Sequence, residues 1–182
     1  KIFFIGFFLT LLYTLPLSLI YLFLSAIGFP ESGFFYSFVT SFILAALFEE
    51  SLKLFIVRVF IYKNKHFDEV MDGIVYTVTA SLGFACLENI EYVMMGGEGW
   101  LYIAIVRSFT AVPMHAFMSG IMGYYIGKAK FSKNNEKWNF VKGLMIAVFL
   151  HGIYDFVLFY SESFSNDVAI LMSLLIFPIL FF

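Results

Sequence analysis

Six long apolar stretches, separated by short polar loops, run along the whole chain. They cover approximately residues 2–29, 33–62, 70–95, 99–127, 139–160 and 167–182. An α-helix needs about 20 apolar residues to cross the hydrocarbon core of a bilayer, and most of these stretches reach that length. The pattern therefore predicts an all-α fold, a polytopic transmembrane helical bundle with at least six membrane spans.

The loops between these stretches differ in charge. The loops after the second and fourth stretches carry lysines, whereas those after the first, third and fifth carry acidic residues and no Lys or Arg. Lysine and arginine are concentrated in cytoplasmic loops of membrane proteins. We therefore expect a multi-pass protein with its N-terminus in the cytoplasm and its acidic loops outside.

The composition narrows the class of protein. The chain is 62% hydrophobic and only 13% charged, which excludes an ordinary water-soluble domain. It contains no glycine-rich phosphate loop and no basic-aromatic pattern, so we expect the lipid bilayer, and no nucleic acid, as a partner. Residues 1–182 are interpreted as one transmembrane domain. Because the chain starts at Lys1 and stops within an apolar stretch, we expect both ends to be truncated.

Charged residues and histidines interrupt three of the apolar stretches. They are Glu49, Glu50 and Lys53 in the second, His115 in the fourth, and His151 and Asp155 in the fifth. A charged side chain at mid-membrane costs about 2.5–3.5 kcal/mol or more, so such residues usually mark a functional site. Small residues precede them in the second and fifth stretches and follow His115 in the fourth, at four-residue spacing, which predicts that these helix faces contact protein rather than lipid.

The rise of an α-helix predicts which of these groups share a depth. Glu49 lies 16 positions after Gly33 and His115 lies 16 after Gly99, so each is about 24 Å from the outer end of its stretch. By the same measure Glu88 and Arg107 lie at the same depth in the membrane, which predicts an ion pair between the third and fourth stretches. Pro113 is expected to kink the fourth stretch beside His115.

Acids and histidines at one depth can perform peptide hydrolysis. Glu49 or Glu50 can act as the base that activates a water, and His115 can share that water. His151, oriented by Asp155 one turn away, can donate to the oxyanion or to the leaving amine. The same groups can instead bind a catalytic zinc ion. A proton-coupled transporter or carrier, or a scaffold that uses these groups only for helix contacts, also remains open.

Taken together, the motifs resemble the PrsW family of bacterial intramembrane proteases, which is distantly related to prenyl-protein (CAAX) endopeptidases and immunity-type membrane proteases. The resemblance covers roughly residues 45–156. The segments that carry it are Phe48–Lys53, Phe67–Tyr76, Phe84–Tyr92, Arg107–His115, Gly120–Gly127 and His151–Asp155.

The resemblance implies an enzyme of the bacterial cytoplasmic membrane that makes the regulated first cut in a single-span substrate such as an anti-sigma factor, within a signalling pathway. It implies that the catalytic candidates are Glu49, Glu50, His115, His151 and Asp155. The supporting residues would be Lys53, Glu88, Asn89 and Arg107.

At two positions this chain differs from the prenyl proteases, and both differences affect the roles that the resemblance implies. Those enzymes carry Arg at or near Lys53, and Asn at the position of Asp155. An ionised Asp cannot donate to an oxyanion, so Asp155 is expected to orient His151 or to bind a metal. We favour a site without a cofactor, by analogy with the prenyl proteases and because Lys53 would oppose a nearby cation. The alternative is one zinc ion, with ligands from among the catalytic candidates.

Overall fold

The regular structure is entirely helical in the computed structural model, which describes residues 1–132 and 134–161. This confirms the all-α class. In chain order the elements are α1 (Ile2–Ala26), α2 (Phe34–Phe38), a π-helix (Val39–Leu47), α3 (Phe48–Phe60), α4 (Val70–Met95), a 3₁₀ turn (Gly97–Gly99), α5 (Trp100–Phe109), α6 (Ala111–Phe131) and α7 (Glu136–Ser161).

Four of the six predicted spans correspond to segments that are long and apolar enough to cross a membrane. They are Ile2–Ala26, Val70–Met95, Gly97–Phe131 and Glu136–Ser161. The second predicted span is helical from Phe34 to Phe60 but is divided among α2, the π-helix and α3. The sixth, residues 167–182, lies outside the described residues. A count of six spans therefore stays a prediction.

The fourth apolar stretch is broken where the sequence predicts a kink. α5 ends at Phe109 and α6 begins at Ala111, and Thr110 between them has φ −118° and ψ −71°. Pro113 has no backbone N–H, so the carbonyl group four residues earlier, in Phe109, loses its partner within the helix. The break lies five residues before His115 and sets the direction in which α6 leaves the site.

Glycines bring α4 and α6 into close, antiparallel contact. A Cβ atom on Gly123 would lie 2.7 Å from the Cα of Ile74, and one on Gly127 would lie 2.9 Å from the Cα of Val70. Further along, the Ser81 hydroxyl donates to the His115 carbonyl oxygen at 3.1 Å. Small residues at four-residue spacing allow this approach in lipid. The contact positions the histidine of α6 directly against α4.

The other site helices are held by similar contacts. α1 crosses α4 at two glycines, and a Cβ atom on Gly83 would lie 3.0 Å from the Phe7 backbone nitrogen. α7 packs against the π-helix, where Gly152 faces the ring of Phe42. Ser37, Ser41 and Ala45, which precede Glu49 at four-residue spacing, are all buried. The prediction that this face contacts protein is confirmed.

We expect Gly123→Ala to destabilise the fold by about 1–3 kcal/mol, because its new methyl group would overlap the backbone of α4. Gly120→Ala is the matched control on the same helix, since its Cβ would meet only a Val78 methyl group at 3.8 Å. The free energy of unfolding, measured by SDS titration in detergent micelles, tests this. Equal stability of the two variants would contradict the close α4–α6 contact.

Candidate active site

The predicted site residues all lie in one connected network of hydrogen bonds and ion pairs. α3 contributes Glu49, Glu50 and Lys53 immediately after the π-helix, and α7 contributes His151 and Asp155. The remaining members are Glu88 and Asn89 on α4, Arg107 on α5 and His115 on α6. π-helical turns are often found at functional sites. The sequence analysis did not predict this one.

Lys53 lies at the centre of the network and is fully buried. Its Nζ atom donates to Glu50 Oε1 at 2.6 Å and to His115 Nδ1 at 2.9 Å. The same atom is 3.8 Å from Glu49 Oε2 and 4.7 Å from the centre of the Phe84 ring. The ammonium group thus joins both acids of α3 to the histidine of α6.

The contacts of His115 define its tautomer. An ammonium group can only donate, so Nδ1 accepts from Lys53. The other nitrogen, Nε2, lies 2.9 Å from Glu88 Oε2, a carboxylate that accepts. We infer that His115 is neutral, with its hydrogen on Nε2. The sequence analysis placed Glu88 only in a helix pair and missed this contact with the histidine.

Glu88 also pairs with Arg107, as the matching depths predict. Arg107 Nη2 lies 2.9 Å from Glu88 Oε2, which confirms the ion pair. Arg107 Nε donates to Asn89 Oδ1 at 2.7 Å, and the guanidinium lies 3.8 Å from the centre of the Tyr92 ring. These contacts fix α5 against α4 beside the site.

His151 has a carboxylate at each ring nitrogen. Nδ1 lies 2.8 Å from Glu50 Oε1, and Nε2 lies 3.2 Å from Asp155 Oδ2. Ionised carboxylates only accept hydrogen bonds, so this arrangement favours a hydrogen on both nitrogens and a positive charge on His151. The Asp155 contact is the one expected from their four-residue spacing. Nε2 is also 3.8 Å from Glu49 Oε2.

Glu49 and Glu50 differ in what they face. Glu50 is fully buried and holds Lys53 and His151. Glu49 lines a cleft of about 940 Å³, which Glu88, His115, His151 and Asp155 also line. Its Oε2 atom is buried without a hydrogen-bond partner among the described residues. Glu50 Oε2 also has no such partner, but Glu50 does not line the cleft. Glu49 is therefore the α3 carboxylate that can accept a proton from a molecule in the cleft.

Three of these residues fit a divalent metal in type and proximity. Glu49, His115 and His151 each offer a ligand atom, and the three atoms lie within 4.8 Å of one another. Two imidazoles and a carboxylate form a common catalytic zinc set. Both nitrogens of each histidine contact other side chains, so a metal would replace one contact at each ring. Glu49 Oε2 has no hydrogen-bond partner among the described residues, so it could bind the metal without breaking a hydrogen bond.

Comparison with known protein families gives a match over residues 1–182, to the family described as PrsW family intramembrane metalloprotease. A protein named Protease PrsW from Geobacillus kaustophilus is 42% identical over 132 residues. Proteins of the same name from Bacillus subtilis and Clostridioides difficile are 40% identical over 174 residues and 36% identical over 161 residues. No solved structure matches the chain.

The chain is shorter than these relatives. The alignments cover 72% of this chain and 57% of the Geobacillus protein, and 94% of this chain and 75% of the Bacillus protein. For the Clostridioides protein the shares are 87% and 66%. The similarity to these relatives thus extends over 72–94% of this chain and over 57–75% of each relative.

The Glu88–Arg107 pair allows a double-mutant test. Arg107→Met should lower the free energy of unfolding by about 3 kcal/mol, because Glu88 loses its cationic partner in a largely buried position. Combining it with Glu88→Gln should recover about 1–3 kcal/mol of the summed losses. As a control, Arg107→Met with Glu98→Gln, on the 3₁₀ turn, should be additive. Additive effects for Glu88 and Arg107 would show that they do not stabilise each other.

Proposed function

The chain belongs to the PrsW family of intramembrane metalloproteases, and on this premise we propose that it is an intramembrane endopeptidase whose active site is the Glu49–His115–His151 cluster. The observation that supports this most directly is the unpaired Glu49 oxygen in the cleft, 3.8 Å from His151 Nε2. A base and a proton donor therefore face the same space. Family membership favours hydrolysis over the proton-coupled carrier.

In the proposed reaction, Glu49 takes a proton from a water as the water oxygen bonds to the scissile carbonyl carbon. The positive charges of His151 and Arg107, which both line the cleft, stabilise the oxyanion. His151 then gives its Nε2 proton to the amide nitrogen as the C–N bond breaks. The proton held by Glu49 returns to His151, and both residues are restored.

The other members of the network position these groups. Glu50 and Asp155 hold the ring of His151 from its two nitrogens. Lys53 and Glu88 hold His115 in the same way. Because Glu50, Lys53 and Glu88 each have a further partner, the network limits how far the reactive groups can move. Preorganised groups of this kind account for much of the rate enhancement of many enzymes over the reaction in water.

A metal is compatible with this assignment. Glu49, His115 and His151 would hold it, and it would supply Lewis-acid activation of the attacking water. Glu50, Asp155, Lys53 and Glu88 would keep their roles in positioning the two histidines.

We propose that the substrate is a membrane protein with a single span, such as an anti-sigma factor, and that the enzyme makes its first, regulated cut. The location of the cleft supports this. From Glu49 it extends to Met94 and Met95 at the end of α4 and to Tyr102 on α5. These positions flank the 96–99 loop, which the charge pattern predicts to lie outside the cytoplasm. A multi-pass arrangement in the bacterial cytoplasmic membrane, with a cytoplasmic N-terminus, completes the proposal.

Glu49→Gln should lower the rate of cleavage by at least about 100-fold, because the amide cannot accept the proton of water. The measurement is cleavage of single-span anti-sigma factors reconstituted with the purified protein in proteoliposomes. Glu98→Gln makes the same chemical change outside the cleft and should leave the rate unchanged. Near-parental cleavage by Glu49→Gln would exclude Glu49 as the base.

Zinc affinity tests the metal ligands without reference to activity. If Glu49, His115 and His151 hold the ion, Asp155→Asn should weaken zinc binding about 10–100-fold, as loss of an outer partner does. His151→Ala should weaken it further, because a direct ligand is lost. Titration with zinc and elemental analysis of the purified protein measure both. Equal zinc affinity in the parent and both variants would place any bound metal elsewhere.

A further inference from the structure

We propose that the polar face of α1 binds the substrate, and that it binds a short segment in extended conformation on the outer side of the scissile bond. This inference rests on the proposed function and adds the binding surface. α1 contains six hydroxyl side chains, and five of them line the cleft. They are Thr10, Tyr13, Thr14, Ser18 and Tyr21.

The two halves of α1 are packed differently. The first half crosses α4 closely at Gly6 and Gly83, as described above. In the second half, Leu15 and Leu19 point away from the protein and are 68% and 59% exposed. The hydroxyl side chains of Thr14, Ser18 and Tyr21 line the cleft, and Tyr13 donates to the Leu44 carbonyl oxygen of the π-helix at 3.0 Å. The polar face therefore forms one wall of the space in front of Glu49.

These hydroxyl groups can still accept hydrogen bonds. Thr14 donates to the Leu11 carbonyl oxygen at 3.1 Å, and Ser18 donates to the Thr14 carbonyl oxygen at 2.8 Å. Each donor is thus satisfied within the helix, while each hydroxyl oxygen keeps acceptor capacity.

An extended peptide needs acceptors of this kind. Water and catalytic groups can reach a peptide carbonyl only after the substrate helix unwinds around it. Unwinding within the membrane leaves backbone N–H groups without partners, which is strongly unfavourable in lipid. A row of hydroxyl oxygens along the cleft can accept from them. The occupant that fits is therefore an unwound segment of a membrane-spanning polypeptide.

The length of the row sets the length of that segment. Tyr21 lies 11 residues after Thr10, which corresponds to about 16 Å along the helix. An extended chain advances about 3.3 Å per residue, so the row matches about five residues. We expect substrates whose span is easily unwound over about five residues beside the cut, and poor cleavage when that segment is a strong helix former.

Photocrosslinking in the Glu49→Gln background tests the binding surface. The probe is a single-span anti-sigma factor that the parent protein has been shown to cleave in proteoliposomes. Photoreactive p-benzoylphenylalanine in place of Thr14 or Ser18 should give at least about 10-fold more crosslinked product than the same group in place of Leu15 or Leu19. The crosslinks should map within about five residues of the cut.

Removal of the hydroxyl groups provides a second measurement. Thr14→Val combined with Ser18→Ala should raise KM about 10-fold with little change in kcat, because binding contacts outside the reacting centre are lost. Thr79→Val with Ser108→Ala is the matched control. These two hydroxyls also donate to carbonyl oxygens of their own helices, those of Val75 and Ala104, but do not line the cleft.

The outcomes separate this inference from the proposed function. Equal crosslinking from the two faces of α1, or a KM equal to that of the control pair, would overturn the α1 binding surface. In that case, cleavage by the parent protein and loss of cleavage in Glu49→Gln would still support the proposed function. If the parent cleaves no single-span substrate, the proposed function fails first, and the inference fails with it.

Discussion

The arrangement of the site depends on one buried ammonium group, that of Lys53. A charged group without partners in an apolar interior is strongly unfavourable, so its neighbours must be near and polar. Glu50 and His115 satisfy this requirement at 2.6 and 2.9 Å, and Glu49 contributes at 3.8 Å. Because these partners come from α3 and α6, and Glu50 in turn holds His151 of α7, one lysine ties three helices together.

The same network explains how so many charges can coexist at this depth. Four acids (Glu49, Glu50, Glu88 and Asp155) face the basic side chains of Lys53 and Arg107, and the contacts of His151 favour a further positive charge. Each carboxylate except Glu49 has a close partner. Among these carboxylates in the described residues, the one without a close partner, Glu49, also lines the cleft. In a catalytic site this is the expected place for a reactive side chain.

Much of this could be predicted from the sequence, because lipid restricts the choices. Charges within apolar stretches must face protein, and helical rise alone placed Glu49 beside His115 and Glu88 beside Arg107. Four-residue spacing predicted the buried face of Ser37, Ser41 and Ala45, and Pro113 predicted the break between α5 and α6. These inferences use only local geometry, which the sequence contains.

The remaining features depend on how helices rotate against one another, and helical rise does not determine that. Depth could not show that Glu88 contacts His115, or that Glu50 faces inward while Glu49 faces the cleft. The π-helix from Val39 to Leu47 has no clear sequence signal, yet it shifts the rotation of the acids that follow it. The polar face of α1 was visible as hydroxyl residues in an apolar helix. Its proposed role in binding could not be predicted from the sequence, because only the structure shows that this face and Glu49 line the same cleft.

The most direct test of the central role of Lys53 is the cleavage rate of a variant in which its pair with Glu50 is replaced by apolar residues, Glu50→Leu with Lys53→Met. Replacing a buried ion pair by apolar residues often leaves stability unchanged or improved, so the variant should fold. Because both histidines lose a partner, cleavage per folded molecule should fall at least about 10-fold. Parental cleavage by the folded double variant would contradict the account.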